Sequence, residues 1–89
     1  MYAVMVDVAI APENYDEAHK GLHEFVIPSS KGAPGFVKGT WFGDRTSGHA
    51  VILFDSEQSA QDMASQVGSG PGDSVQVQRV QVYEVHADV

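Results

Sequence analysis

Val4, Val6, Val8 and Ile10 alternate with Ala3, Met5, Asp7 and Ala9. This period of two predicts an opening strand with one fully apolar side and a second side broken only by Asp7. From residue 13 the period changes. Tyr15, Ala18, Leu22, Phe25 and Val26 recur at helical spacing, so residues 13–27 are expected to form an amphipathic helix. Pro12 precedes its first turn, and Glu13, Asp16 and Glu17 lie near the positive end of its dipole. Pro28 is expected to end or kink it. Lys31 to Gly35 reads as a turn, and residues 36–43, rich in aromatic and β-branched side chains, read as a second strand. A hairpin loop over Gly43 to Gly48 leads to a third strand, His49 to Phe54. Its run Ala50-Val51-Ile52-Leu53-Phe54 shows no alternation, which predicts burial on both faces of a sheet. Asp55 is expected to cap a second helix, with Gln58 completing a capping box and Ala60, Met63, Ala64 and Val67 forming the apolar stripe. A Gly/Ser-rich loop follows at 68–74. The last strand, Val75 to Val85, slips its apolar phase between Val77 and Val80, the mark of a bulge at Gln78 or Arg79.

The predicted order is strand, helix, strand, strand, helix, strand. It defines an α+β fold, a ferredoxin-like βαββαβ sandwich with a four-stranded antiparallel sheet and two helices on one face. One such domain accounts for residues 1–89. Two helices cover only one side of the sheet. Met5, Ala3, Val51 and Leu53, or their alternates, would leave an apolar patch of several hundred Å², more than a soluble monomer ordinarily exposes. A second copy stacked sheet against sheet about a two-fold axis removes it. About 500 Å² of apolar cover per subunit is worth roughly 12 kcal/mol before the costs of association. A homodimer is therefore expected.

Charge narrows the partners. Five Lys and Arg stand against twelve Asp and Glu in 89 residues, a net −7. Nucleic acid and anionic membrane surfaces both call for a basic stripe, so neither is an expected partner. No apolar run reaches the ~20 residues of a bilayer span, and no basic leader with a cleavage site opens the chain. A cytoplasmic location is the expectation. With no cysteine there is no disulfide framework, thiolate zinc site or thiol nucleophile.

Three segments resemble the dimeric α+β barrel superfamily, and within it the antibiotic-biosynthesis-monooxygenase-like group. They are the opening strand followed by Pro12-Glu13, the entry Ala33-Pro34-Gly35-Phe36-Val37, and Val51-Ile52-Leu53-Phe54-Asp55-Ser56-Glu57-Gln58-Ser59-Ala60. The resemblance implies a dimeric barrel with a cleft between helices and sheet in each subunit. Active members include cofactor-free quinone-forming monooxygenases, haem-degrading oxygenases, and isomerases or dehydratases of small aromatic compounds. Three departures bear on chemistry. Phe54 stands where haem- and polycyclic-binding members often carry Trp, and residues 56–67 lack the histidine that serves haem degraders as iron ligand. Their polar amide early in the first strand is also missing; Asp7 or Val6 occupies that region. Haem degradation is not expected, and no cofactor is expected.

Candidate chemistry centres on the first helix. His19 and His23 are four apart, and Asp16 lies three before His19. At about 100° per residue the three fall within ~60° of arc. They can face one ion, or line a cleft beside Tyr15 and Leu22 with His19 as the catalytic base. A closed metal site calls for four ligands, and no further His or Cys stands nearby, so no metal is expected. His49 shares the parity of Val51 and Leu53 and reads as an interface histidine, and His86 as a solvated one. Trp41, the sole tryptophan, and Phe54 are candidate walls for an aromatic ligand. Arg79 and Tyr83 share a parity on the last strand, and could clamp a carboxylate or phenolate or serve a cross-strand or inter-subunit ion pair. There is no Gly-x-Ser-x-Gly elbow, and Gly68 to Gly72 lacks the Lys and Ser/Thr of a phosphate loop. Two functions remain: binding of a small apolar or aromatic molecule with cofactor-free monooxygenase-like or isomerase chemistry, or a non-catalytic dimerisation and interaction module.

Overall fold

A computed structural model describes residues 1–67 and 75–89; the Gly/Ser-rich loop expected at 68–74 lies outside the described residues. Four strands, β1 (Tyr2–Ile10), β2 (Phe36–Gly43), β3 (Ser47–Phe54) and β4 (Val75–Glu84), form one sheet in the order β2-β3-β1-β4. Every neighbouring pair is antiparallel. This is the ferredoxin-like arrangement that the element order predicts.

Registers decide which side chains share a face. Val4 pairs with Ile52 and Val82, and Val6 with Ala50 and Val80. These residues face the helices, and Val4, Val6, Ala50, Ile52, Phe54 and Ala60 make the buried core. Ala3, Met5 and Asp7 pair with Leu53, Val51 and His49 on the opposite, open face. The β1–β4 register shifts at Asp7/Val8: Asp7 pairs with Arg79 and Val8 with Val77, leaving Gln78 as the extra residue. The expected bulge is there, and it keeps Val77 on the helix side with Val80 and Val82. A second shift between Phe36 and Lys38 turns Val37 out to solvent at the edge of the sheet.

The first helix departs from expectation. Helical backbone runs through residues 12–31: a 3₁₀ turn (Pro12–Asn14), α1 (Tyr15–Gly21), a π-helical turn (Leu22–Val26) and α2 (Ile27–Lys31). Pro28 does not end it. In the widened turn the Ile27 N–H bonds back to the Leu22 carbonyl, so Pro28 begins a fresh helical stretch where its missing donor costs little. Ser30, buried, donates its hydroxyl to the Val26 carbonyl at 2.8 Å.

The second helix, α3 (Glu57–Gln66), is capped by Ser56 and not by Asp55. Ser56 is extended, and its hydroxyl accepts the Ser59 N–H at 3.2 Å. Gln58 bonds to Asp62, one turn on, rather than closing a capping box. Asp55 is used differently: its N–H donates to the Gly35 carbonyl, tying the turn before β2 to the end of β3. Gly35 has φ +80°, and a Cβ there would stand 2.6 Å from both Asp55 Oδ1 and Ser59 Oγ. Gly35→Ala is therefore expected to cost about 1–3 kcal/mol, read as a lower thermal midpoint. Among the described residues, no helix is long and apolar enough to cross a membrane.

Candidate functional site

The two helical layers cover the sheet unequally. Ala60 of α3 has no exposed surface, and Met63, Ala64 and Val67 pack on the core beside it. By contrast, neither α1 nor the π-helical turn contains a buried residue. Phe25 and Val26, expected on the buried stripe, are 54% and 44% exposed. The segment is held at its two ends. Arg45, in the β2–β3 turn, lies 4.6 Å over the Tyr15 ring, and at the far end α2 approaches β2.

The sheet beneath offers small residues and one large ring. Trp41 faces the helices, paired with Ala50, and its ring lies back over Gly39, where a Cβ would come within 2.5 Å of it. Gly48 leaves Val8 and Ile10 uncrowded; a Cβ there would stand 2.9 Å from the Val8 methyl. Gly39, Gly48 and Ala50 thus share the helix-side face of the sheet with Trp41. A cavity of about 40 Å³ opens nearby between α3 and the turn before β2, lined by Ala33, Pro34, Ser59 and Met63 among others. That is room for a water or two.

Three rings form a column along the helix. Tyr15 stacks on His19 at 5.8 Å between centroids, and His19 meets His23 edge-on at 4.8 Å. Because Arg45 caps Tyr15, this column faces the hairpin end of the sheet. Asp16 is exposed, and no group of three or more His, Asp or Glu gathers as a metal site among the described residues.

The other candidates separate from this group. Phe54 is fully buried, edge-on to Phe36 at 6.2 Å, and belongs to the core under α3. Arg79 and Tyr83 lie on the open face, opposite the ring column, because they pair with Asp7 and Ala3. Arg79 donates to Gln81 Oε1 at 2.7 Å and to the Tyr83 hydroxyl at 3.1 Å, and Tyr83 also bonds to Gln81. His49 shares that face, with Nδ1 2.7 Å from Asp7 Oδ1 and its ring 5.4 Å from Phe42. His86 is solvated, 3.9 Å from Glu84. A concavity of about 320 Å³ lies on the open face, lined by Ala3, Val51, Leu53, Lys38 and the terminal residues Val85 and Ala87 among others.

Arg45 had no signal in the sequence beyond its place in a hairpin loop. Its position comes from the turn. Asp44 Oδ1 accepts from the N–H groups of Thr46 and Ser47 at 2.9 and 2.8 Å, and from both hydroxyls. These bonds, the Thr46 N–H foremost and then the Ser47 hydroxyl, hold the Asp44 carboxyl below the usual carboxylate range. A depressed folded value means the turn is stabilised above the unfolded carboxyl's range and loses that support as pH falls through the lowered value. In an NMR titration, Asp44 is expected to protonate at lower pH than the same residue in the unfolded chain.

No family model matches the chain, and no curated protein matches it by sequence. Solved structures do match. MhuD from Mycobacterium tuberculosis, a heme-degrader with two hemes bound in its active site, aligns over 100% of this chain and 99% of its own, with TM-score 0.73 and 15% identity. A dimeric ferredoxin-like protein from an uncultured marine organism aligns over 100% and 98%, with TM-score 0.67 and 10% identity. A monooxygenase from the gene ActVA-Orf6 of Streptomyces coelicolor, in complex with the ligand Nanaomycin D, aligns over 99% and 89%, with TM-score 0.63 and 14% identity. At such identities the likeness is one of fold. The chain has the ferredoxin-like architecture, the fold that its resemblance to the antibiotic-biosynthesis-monooxygenase-like group implies.

Proposed function

We propose that the protein is a homodimer joined through its open sheet face, and that each subunit binds a small apolar or aromatic molecule between the helical span and the sheet, with cofactor-independent monooxygenase-like chemistry. One observation carries the binding reading: residues of α1 and the π-helical turn lie over the sheet with none of them buried, and Phe25 and Val26 exposed. A planar ring laid between Trp41 and Leu22 would cover apolar surface that the chain leaves wet. Two solved structures of this fold hold small molecules, hemes in MhuD and Nanaomycin D in the monooxygenase. Haem itself is disfavoured as substrate here, because α3 presents Ala60, Met63 and Ala64 and no histidine.

In this reading His19, beside Tyr15 and His23, takes the proton of a phenol-type substrate. The resulting anion gives electrons to dioxygen; one oxygen enters the ring carbon, and the other leaves as water with the two hydrogens lost. The dimer is supported by the apolar open face around Ala3, Met5, Val51 and Leu53, by the concavity beneath the terminal residues, and by the dimeric neighbour.

Trp41, the sole tryptophan, reports on the groove. Titration with 1,4-naphthoquinone is expected to quench its fluorescence saturably. Leu22→Arg, which places a long charged side chain at the π-helical turn, is expected to weaken binding about tenfold or more. Linear, unsaturating quenching equal to that of free tryptophan would overturn the reading.

A further inference from the structure

We infer that Arg45 is the specificity-determining residue of this groove, and that it selects ligands carrying an acidic group, a carboxylate or phenolate, on the aromatic ring. The inference rests on the binding reading above and adds the ligand's charge. With twelve acidic residues against five basic ones, an arginine in this chain has carboxylates in excess available to it. Among the described residues, Arg45 nevertheless makes no hydrogen bond or ion pair; its guanidinium lies over the face of Tyr15, 4.6 Å from guanidinium carbon to ring centroid. The nearest carboxylate in sequence, Asp44, is committed to its own turn through four bonds from Thr46 and Ser47. Stacking on a ring leaves the edge of the guanidinium, with its N–H donors, free to form a paired contact with a planar anion.

Placement supplies the rest. Tyr15 stacks on His19, which meets His23, so the guanidinium ends a row of three rings that leads from the β2–β3 turn toward the π-helical turn. A ligand lying along that row with its ring toward Trp41 would direct an acidic substituent to Arg45. An anion there also answers a specificity problem. The chain's net charge of −7 repels acidic molecules in general, and one unpaired guanidinium at the groove's end admits only those that can reach it.

The test uses two probes of equal shape, 2-naphthoate and the neutral 2-naphthamide, each titrated against Trp41 fluorescence at low ionic strength. Wild-type protein is expected to bind naphthoate about tenfold tighter than the amide. Arg45→Gln abolishes that preference by weakening naphthoate alone, and Arg45→Lys restores part of it. Thermal midpoints stay level, because Arg45 is exposed. Equal affinity of the two probes for wild type, or an unchanged preference in Arg45→Gln, overturns the role of Arg45 while the groove stands. Absence of binding by either probe to wild type overturns the groove and this inference together.

Discussion

Leu53→Asp is expected to convert the protein to a monomer or an insoluble chain, measured by sedimentation velocity at micromolar concentration. Leu53 sits opposite Ala3 and Lys38 on the open face, in the row that continues to Val51 and Met5. A sheet-to-sheet dimer buries this row, and two-fold symmetry places two copies of any substitution in the same contact. An unpaired carboxylate costs some 2–3 kcal/mol per subunit at a minimum, about 5 kcal/mol per dimer, which weakens association more than a thousandfold. Val51→Asp is expected to act alike. A soluble dimer retained by either variant would show that the copies meet elsewhere, leaving the proposed ligand site on the other side of the sheet unaffected.

Phe54→Ala is expected to give the largest loss of stability of any single truncation proposed. Phe54 has no exposed surface, sits edge-on to Phe36, and belongs to the same cluster as Val4, Ile52 and Ala60. Removing such a ring leaves a cavity that the strands cannot close, at about 3–5 kcal/mol. For a chain of 89 residues this lowers the thermal midpoint by roughly 15–30 °C. The same position in the resemblance often carries Trp, and Phe54→Trp tests whether the site has room for one. Full burial predicts overpacking of about 1–3 kcal/mol and no gain in naphthoquinone affinity. Tighter binding in that variant would mean that the Phe54 position reaches the groove.

The order of elements, the two faces of β1 and the bulge at Gln78 were legible because each is written in a short-range period: two for strands, 3.6 for helices, and a break in phase where a residue is inserted. The fold followed from them, and so did the apolar make-up of the open face, though not its exposure: Ala3 is buried and Met5, Val51 and Leu53 are half-buried. The cap of α3 was not legible in the same way. Asp55 and Ser56 can both cap a helix, and the choice fell to Ser56 because the backbone of Asp55 is drawn to Gly35, twenty residues earlier in the chain. Pro28 was equally ambiguous: a turn that shifts its bonding by one residue, over Leu22–Val26, lets helical backbone pass it.

The candidate site divides along the same line. Tyr15, His19 and His23 could be grouped from spacing, since four residues on a helix return nearly to the same side. Local periodicity could neither send Phe54 into the core nor set Arg79 and Tyr83 behind the sheet. Those outcomes depend on strand register, which is agreed between segments dozens of residues apart. Arg45 over Tyr15 is the extreme instance, a contact between a loop and a helix that no pattern in either one encodes. Repeating rules within a segment settle what each element is and which side is greasy. Which side chains meet across elements is settled when the sheet closes and bulges and turns fix the alignment.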